Sequence, residues 1–433
     1  MELKEIGNDF SNIWELYGMR SNPFSTSPLL VKGGILPIES FSGRKEELER
    51  IFKQFRSSGG SRILVVGDVG VGKTTFVNVA RHRAIEKGFF SPIKEIAVIG
   101  NWTAFDFILN TLFGFYSTLE LQKQEDRVLS KESFETLKSL VQFNTLERKI
   151  TGGNALGIGL EYQEERKNPQ TITLMALQDI FEKVIEEVHA KTKKEVIIHY
   201  NNLERLQEKS VRTIFEDLRD FFQTPQVHFI FVGNLTIHSI FQSMPRVSSI
   251  ISDTPIILKE MELVEIEKAI DIRLTKLRIS EDLNVIKPFT DAALNALYEL
   301  YKGNIRDILN SLSTAVLAGT HEKPIILSQT ALTRILKQIV QKRFLTRQPP
   351  NAKKILEEAV KHEEITNRHL SRTTNIARSN VSKYIGDLQT AGCISLRRKD
   401  GKDKYWSVNP ILRWLLLQEN TEEDKQKKMR EYL

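Results

Sequence analysis

A single cysteine, Cys393, among 433 residues excludes a disulfide within the chain and fits a reducing compartment. Long apolar runs are also missing. Trp414-Leu415-Leu416-Leu417 falls far short of the roughly 20 residues that cross a bilayer, so no membrane association is expected. The opening stretch, MELKEIGNDF, is charged and lacks the apolar segment of a secretory leader, which points to a cytoplasmic protein. Apolar residues at 40% and charged residues at 27% are the ordinary balance of a globular chain. The length suggests two to four domains.

A strong charge excess is absent too. The net charge of +7 is mild for this length and does not by itself indicate nucleic-acid binding. Its distribution says more. Residues 351–410 hold 12 Lys and Arg against 7 Asp and Glu, so most of the surplus sits in a seventh of the chain.

What the chain does contain is a complete phosphate-binding pattern, Gly67-Asp68-Val69-Gly70-Val71-Gly72-Lys73-Thr74, matching GxxxxGK[ST]. The apolar strand Arg62–Val66 precedes it, and TTFVNVARHRAIEK follows with helical spacing at Phe76, Val79, Ala80 and Ala84. Glycines let backbone N–H groups turn inward around an anion, and the helix N-terminus adds its dipole. Lys73 is placed to reach the β- and γ-phosphates of a nucleotide, and Thr74 to offer a hydroxyl to magnesium. Candidate strands at 62–66, 94–100, 195–200, 227–233 and 255–259 alternate with helical stretches, the pattern of a parallel α/β sheet. Thr151–Tyr162, TGGNALGIGLEY, reads as a glycine-rich hairpin or loop before the third strand.

These motifs resemble those of AAA+ ATPases, in particular the origin-recognition and replication-licensing initiators of archaea and related prokaryotic ATPases, over about residues 20–410. Phe41-Ser42-Gly43-Arg44-Lys45-Glu46-Glu47-Leu48 is similar to the G-R-x-x-E-L box that precedes the first strand. Val227–Asn234 resembles the strand whose terminal polar residue senses γ-phosphate, which makes Asn234 a sensor, a helix cap, or both. Met244–Ser249 resembles the P-R-V-x-S segment, so Arg246 is either an arginine finger for a neighbouring subunit or a surface arginine. Tyr301–Asp307 resembles the G-N-x-R motif of a helical lid, which makes Arg306 a second sensor or a partner of Asp307 or Glu299.

The resemblance also locates a further absence. In HYNNLE, Asn201 stands where the magnesium-shell aspartate is expected and Asn202 where the catalytic glutamate is expected. An amide can hydrogen-bond a metal-bound water but cannot take a proton. Binding of ATP with Mg2+ is therefore expected, with slow or partner-dependent hydrolysis. Glu204 is the nearest carboxylate: a substitute base, or a first-turn residue favoured by the helix dipole. The implied nucleotide set is Gly67, Asp68, Val69, Gly70, Val71, Gly72, Lys73, Thr74 and Thr75 with Arg44, Asn201 and Asn202. Thr74 and Asn201 would serve the metal, and Glu204, Asn234, Arg246 and Arg306 the chemistry.

Residues 261–345 read as lid helices, and Arg347-Gln348-Pro349-Pro350 as a linker. Beyond it come a helix at about 351–361, a second capped by Thr366, and a third capped by Ser379 or Asn380 with Val381, Ile385 and Leu388 inward. Gly392 ends the third, and a hairpin turns at Asp400-Gly401. This order resembles a winged helix-turn-helix. Arg378, Ser379, Asn380, Ser382 and Lys383 would face a major groove. Arg397, Arg398, Lys399, Lys402 and Lys404 would suit phosphates. Tyr405 and Trp406 are expected in the base of the wing. Winged helices also serve as protein-docking modules.

The expected domains are an N-terminal segment at 1–40, a nucleotide-binding core at 41–260, a helical lid at 261–348, a winged helix at 351–410 and a tail at 411–433. The N-terminal segment is expected to pack on the core or on a neighbouring subunit, and the tail to begin as an amphipathic helix. Three functions follow. One is a homo-oligomeric, nucleotide-dependent protein that binds double-stranded DNA and loads or recruits other factors. Another is a nucleotide-gated scaffold or switch that recruits an effector protein in mobile-element or defence machinery. The third is an ordinary transcription regulator with a vestigial nucleotide site.

Overall fold

The computed structural model describes residues 12–57, 59–151, 172–345, 348–400 and 403–417. Nearly all of the expected glycine-rich stretch at 151–162 lies outside them, as do Lys402 and the tail beyond 417. The described chain divides into two compact units, one of residues 27–261 and one of residues 12–26 together with 262–417.

The first unit is a three-layer α/β fold. Its elements are α1 (Lys45–Phe55), β1 (Gly60–Gly67), α2 (Lys73–Glu86), β2 (Ile96–Ala97), α3 (Ala104–Gln122), α4 (Glu125–Val128), α5 (Lys131–Thr151), α6 (Leu174–Thr192), β3 (Val196–Asn201), α7 (Glu208–Asp217), β4 (Val227–Gly233), α8 (Leu235–Gln242), α9 (Pro245–Ser248) and β5 (Ile256–Leu258). The five strands are parallel in the order β2-β3-β4-β1-β5. All five expected strands form, although β2 is only two residues long. Every residue of β3 and β4 is buried, as helices on both faces of a parallel sheet require.

On one sheet face the core is aromatic. Tyr200, Phe229 and Phe231 stack nearly parallel, with interplanar angles of 2° to 8°. Phe107, Phe215 and Phe222 close around them. Helix α3 starts at a reciprocal cap, in which Asp106 accepts from the Thr103 backbone while Thr103 caps the Asp106 N–H.

The second unit holds a helical bundle, α10 (Leu263–Lys276), α11 (Asp291–Tyr301), α12 (Ile305–Gly319) and α13 (Gln329–Val340). Residues 12–26 of the N-terminal segment belong here, whereas residues 27–40 belong with the sheet, where the Leu29 N–H donates to Thr75 Oγ1 and the Leu29 carbonyl accepts from Asn78 Nδ2. Tyr17 is fully buried, its hydroxyl 2.5 Å from Thr320 Oγ1, and Arg273 donates to the carbonyls of Pro23 and Ser25. The expectation that the segment packs on the core holds for its Leu29 end but not for Trp14, Tyr17 and Phe24, which form a chain of ring contacts that continues to Phe289 ahead of α11.

The winged module follows: α14 (Pro350–Ala359), β6 (Ile365–Thr366), α15 (Asn367–Thr374), α16 (Arg378–Thr390), β7 (Ile394–Asp400) and β8 (Asp403–Val408). The antiparallel order is β6-β8-β7. Thr366 caps α15 through the His369 N–H, as expected. The cap expected at Ser379 or Asn380 is not the one that forms. Helix α16 starts earlier, with Ala377 in the cap position and no side-chain bond, so Ser379 and Asn380 lie in its exposed first turn. Val381, Ile385 and Leu388 face inward, and Trp406 is buried at the wing base with its Nε1 donating to Asn367 Oδ1. Residues 410–417 are helical and bury Leu412, Leu415 and Leu416 against this module. The fold class is the expected one: a parallel P-loop sheet, a helical bundle and a C-terminal winged helix.

Candidate nucleotide site and DNA-facing module

Three loops meet at the carboxyl ends of neighbouring strands, where open α/β sheets bind ligands. The Gly67–Gly72 loop follows β1, the Asn201 turn follows β3, and Asn234 follows β4, the strand between them. Gly67 is dictated by proximity, since a Cβ there would collide with the Leu258 carbonyl on β5. Gly72 is dictated by backbone angle, with φ of 94° at the position that opens α2. The N-terminus of this 14-residue helix thus opens onto the loop.

Lys73 is buried, and its ammonium donates to the carbonyl oxygens of Gly67 at 2.9 Å and Asp68 at 2.8 Å. Asp68 and Val69 are exposed on the outer rim of the loop. Thr74 meets Asn201 directly. The Asn201 Nδ2 donates to Thr74 Oγ1 at 3.0 Å, and Asn201 Oδ1 lies 3.3 Å from the same hydroxyl. Oδ1 also accepts the Asn202 N–H at 3.0 Å, and Asn202 takes the left-handed conformation at φ 64° that Asn tolerates. The structure therefore brings the two predicted metal-side residues into contact, with a neutral amide in place of a carboxylate. Glu204 lies on the short helical turn after Asn202. It is partly buried, and its Oε2 is shut off from solvent with no hydrogen-bond partner among the described residues.

The other predicted residues take more local roles. Arg44, buried and left-handed at φ 59°, donates to the carbonyls of Val71 and Lys259 and pairs with Glu47 at 3.4 Å, so it braces the loop against the end of β5. Thr75 Oγ1 accepts the Leu29 N–H. Asn234 caps α8 by accepting the Ile237 N–H at 3.2 Å. Arg246 is exposed on α9. Arg306 belongs to the second unit, exposed on the first turn of α12, whose cap is Asn304.

A buried polar layer beneath α2 was not foreseen. Arg81 is fully buried and donates to Ser91 Oγ, to Asn78 Oδ1 and to the carbonyl of Pro92. Burial pulls its guanidinium down to about 10, opposed by Glu95. His199, on β3 two residues before Asn201, has neither ring nitrogen hydrogen-bonded among the described residues. Burial first, and the Arg81 charge second, hold it well below the ordinary histidine range, so it is neutral. At the opposite end of the sheet His228 bridges Ser61 and Glu195 at 2.7 Å each. Nothing in the apolar spacing of β1, β3 or β4 announces these partners.

In the winged module Arg378, Ser379, Asn380, Ser382 and Lys383 are all exposed on one stretch of α16, and Ser382 Oγ also accepts from Asn367. Arg397 and Lys404 are exposed on the two wing strands. Arg398 and Lys399 lie in β7, where Lys399 pairs in register with Lys404. Among the described residues no helix is long and apolar enough to cross a membrane.

Residues 45–246 match the model of the KAP family P-loop domain, and residues 350–395 match the model of winged helix-turn-helix DNA-binding domains. The chain thus joins a P-loop NTPase domain to a winged helix. No curated protein matches its sequence. Similar solved structures include the Orc1 protein of Aeropyrum pernix in complex with DNA, with 13% identity, a TM-score of 0.42 and coverage of 88% of this chain and 93% of that one. Cdc6p from Pyrobaculum aerophilum shows 13% identity, a TM-score of 0.44 and coverage of 93% and 98%. Drosophila ORC bound to DNA shows 12% identity, a TM-score of 0.41 and coverage of 96% and 95%.

Proposed function

We propose that the protein is a slow, ATP-binding switch that contacts duplex DNA through its winged helix and, by nucleotide-dependent assembly of copies, loads or recruits other factors. The observation that carries this reading is the neutral contact between Thr74 and Asn201. The loop, Lys73 and the α2 N-terminus supply what a triphosphate needs. Thr74 Oγ1 would ligate Mg2+, whose charge the phosphates balance, with Asn201 turning its Oδ1 toward the hydroxyl or a metal-bound water. Asn202 cannot accept a proton, so the attacking water lacks its usual base. Glu204 is the carboxylate left to serve, and an oligomer would let Arg246 reach a neighbour's nucleotide. Supporting the DNA contact are the exposed basic and polar face of α16 and the lysines of the wing.

The test is ATP binding and turnover for wild type, Lys73→Ala and Asn201→Asp/Asn202→Glu, with and without duplex DNA. Wild type is expected to bind ATP and turn it over slowly, Lys73→Ala to bind poorly, and the acid pair to turn over faster. Brisk, Lys73-dependent hydrolysis by wild type would overturn the slow-switch reading. ATP-dependent assembly without DNA affinity would instead favour the effector-recruiting scaffold.

A further inference from the structure

We propose that Glu358, His362 and His369 bind one divalent transition-metal ion of the zinc class, tying the first helix of the winged module to the second. The three side chains come from three local structures. Glu358 is in the last turn of α14, His362 in the turn that follows, and His369 in the first turn of α15. One ligand atom from each lies within 4.8 Å of the others. The two imidazoles meet edge to face, ring centroids 4.8 Å apart at 74°. Glu358 Oε1 lies 3.7 Å from His362 Nε2.

Ligand bonds of roughly 2.0–2.2 Å in a tetrahedral shell set donor atoms about 3.3 Å apart. The Glu358 Oε1–His362 Nε2 separation of 3.7 Å is close to that value, and all three donor atoms lie within 4.8 Å of one another. Lys361 holds the other carboxylate oxygen, Oε2, at 2.8 Å. That bond keeps the Glu358 carboxyl below its ordinary range, against the opposing effect of burial. Lys361 thus acts as the outer partner that orients a ligating carboxylate. A simple Glu358–His362 ion pair would explain two of the three residues. It gives no reason for a second imidazole from another helix to share the same point.

Two neutral nitrogens and one carboxylate oxygen select Zn2+, Co2+, Ni2+ or Cu2+ over Mg2+ or Ca2+, which prefer oxygen-only shells. Three protein ligands leave a fourth position for water. The chain's sole thiol, Cys393, is buried, and burial raises it to about 11, so it is no competitor for the ion.

The experiment is calorimetric titration of the chelator-treated full-length protein with ZnCl2, paired with visible spectra on adding Co2+. Wild type is expected to take up one equivalent of zinc and to give the d–d bands of a low-coordinate cobalt site. His362→Ala/His369→Ala should lose the cobalt bands and bind zinc at least about tenfold more weakly, a loss that even outer-shell changes can cause. Glu358→Gln, which keeps shape, should weaken binding as well. His362 and His369 are partly or largely exposed, so circular dichroism of the variants should match wild type. Equal zinc binding by wild type and the double variant, or no zinc binding by wild type, would overturn the proposal. These readouts use neither nucleotide nor DNA.

Discussion

Strand β3 shows two different faces in six residues. Val196, Ile198 and Tyr200 point into the aromatic core, where Tyr200 stacks on Phe229 and Phe231 and shares a hydroxyl contact of 2.5 Å with Thr111. Ile197, His199 and Asn201 alternate with them on the α2 side, where the layer holds Arg81, Asn78, Ser91 and Thr74. The period-two alternation of a strand makes this division possible. One face is a packed apolar wall whose removal costs stability. The other is a polar layer that leads from a buried, neutral histidine to the amide beside the phosphate loop, so chemistry and folding meet on a single strand.

Breaking the first face has the largest effect. Tyr200→Ala opens a void among Phe107, Phe222, Phe229 and Phe231 and should destabilise the protein by about 3–5 kcal/mol in urea unfolding. The fraction that remains folded should bind nucleotide as wild type does, because Tyr200 faces away from the loop.

A pH titration sharpens the contrast. His199 and His228 are both held below 6.5 in the fold, burial being the larger cause at each. Below that pH the unfolded chain binds more protons than the folded one. Stability is therefore complete above 6.5 and falls as pH drops through the unfolded value. The limiting slope is about 1.4 kcal/mol per pH unit for each histidine. Urea midpoints measured from pH 7.5 to 5.5 should show this fall, and His199→Leu should flatten it. A profile in the variant as steep as in wild type would mean that His199 is not excluded from protonation.

The smallest effect belongs to the contact itself. Thr74→Val removes the hydroxyl that pairs with Asn201 and should cost about 1 kcal/mol in nucleotide-free protein. It should also abolish any Mg2+ dependence of ATP binding, read by comparing affinities with and without the metal.

Much of this was legible in the sequence, for reasons that can be named. The phosphate loop declares itself because each glycine answers a local demand, collision at Gly67 and backbone angle at Gly72. Strands β1, β3 and β4 were visible as apolar runs because inner parallel strands are covered on both faces, whereas the edge strands β2 and β5 each leave one residue exposed. The amides at Asn201 and Asn202 were identifiable because they end such a strand. Other features were hidden. Arg44 reads as a ligand residue from its box, and nothing in the sequence signals that it also donates to backbone carbonyls 27 and 215 residues away. Arg81 looks like any charged residue on a helix, and only tertiary packing buries it. Glu358, His362 and His369 cross a helix end, a turn and a short strand, so no single period links them.

The edges of the sheet carry one further consequence. Its outer strands are β2, with two residues, and β5, with three. Where β2 stops short of the start of β3, Phe90 takes over: its N–H reaches the Glu195 carbonyl, and its own carbonyl accepts the Ile197 N–H. Among the described residues both outer strands are short, so each offers few backbone groups for another strand to join. For assembly of copies, side chains and loops therefore offer more surface than extension of this sheet. A partner can then be exchanged by changing a few surface residues, with the sheet left as it is.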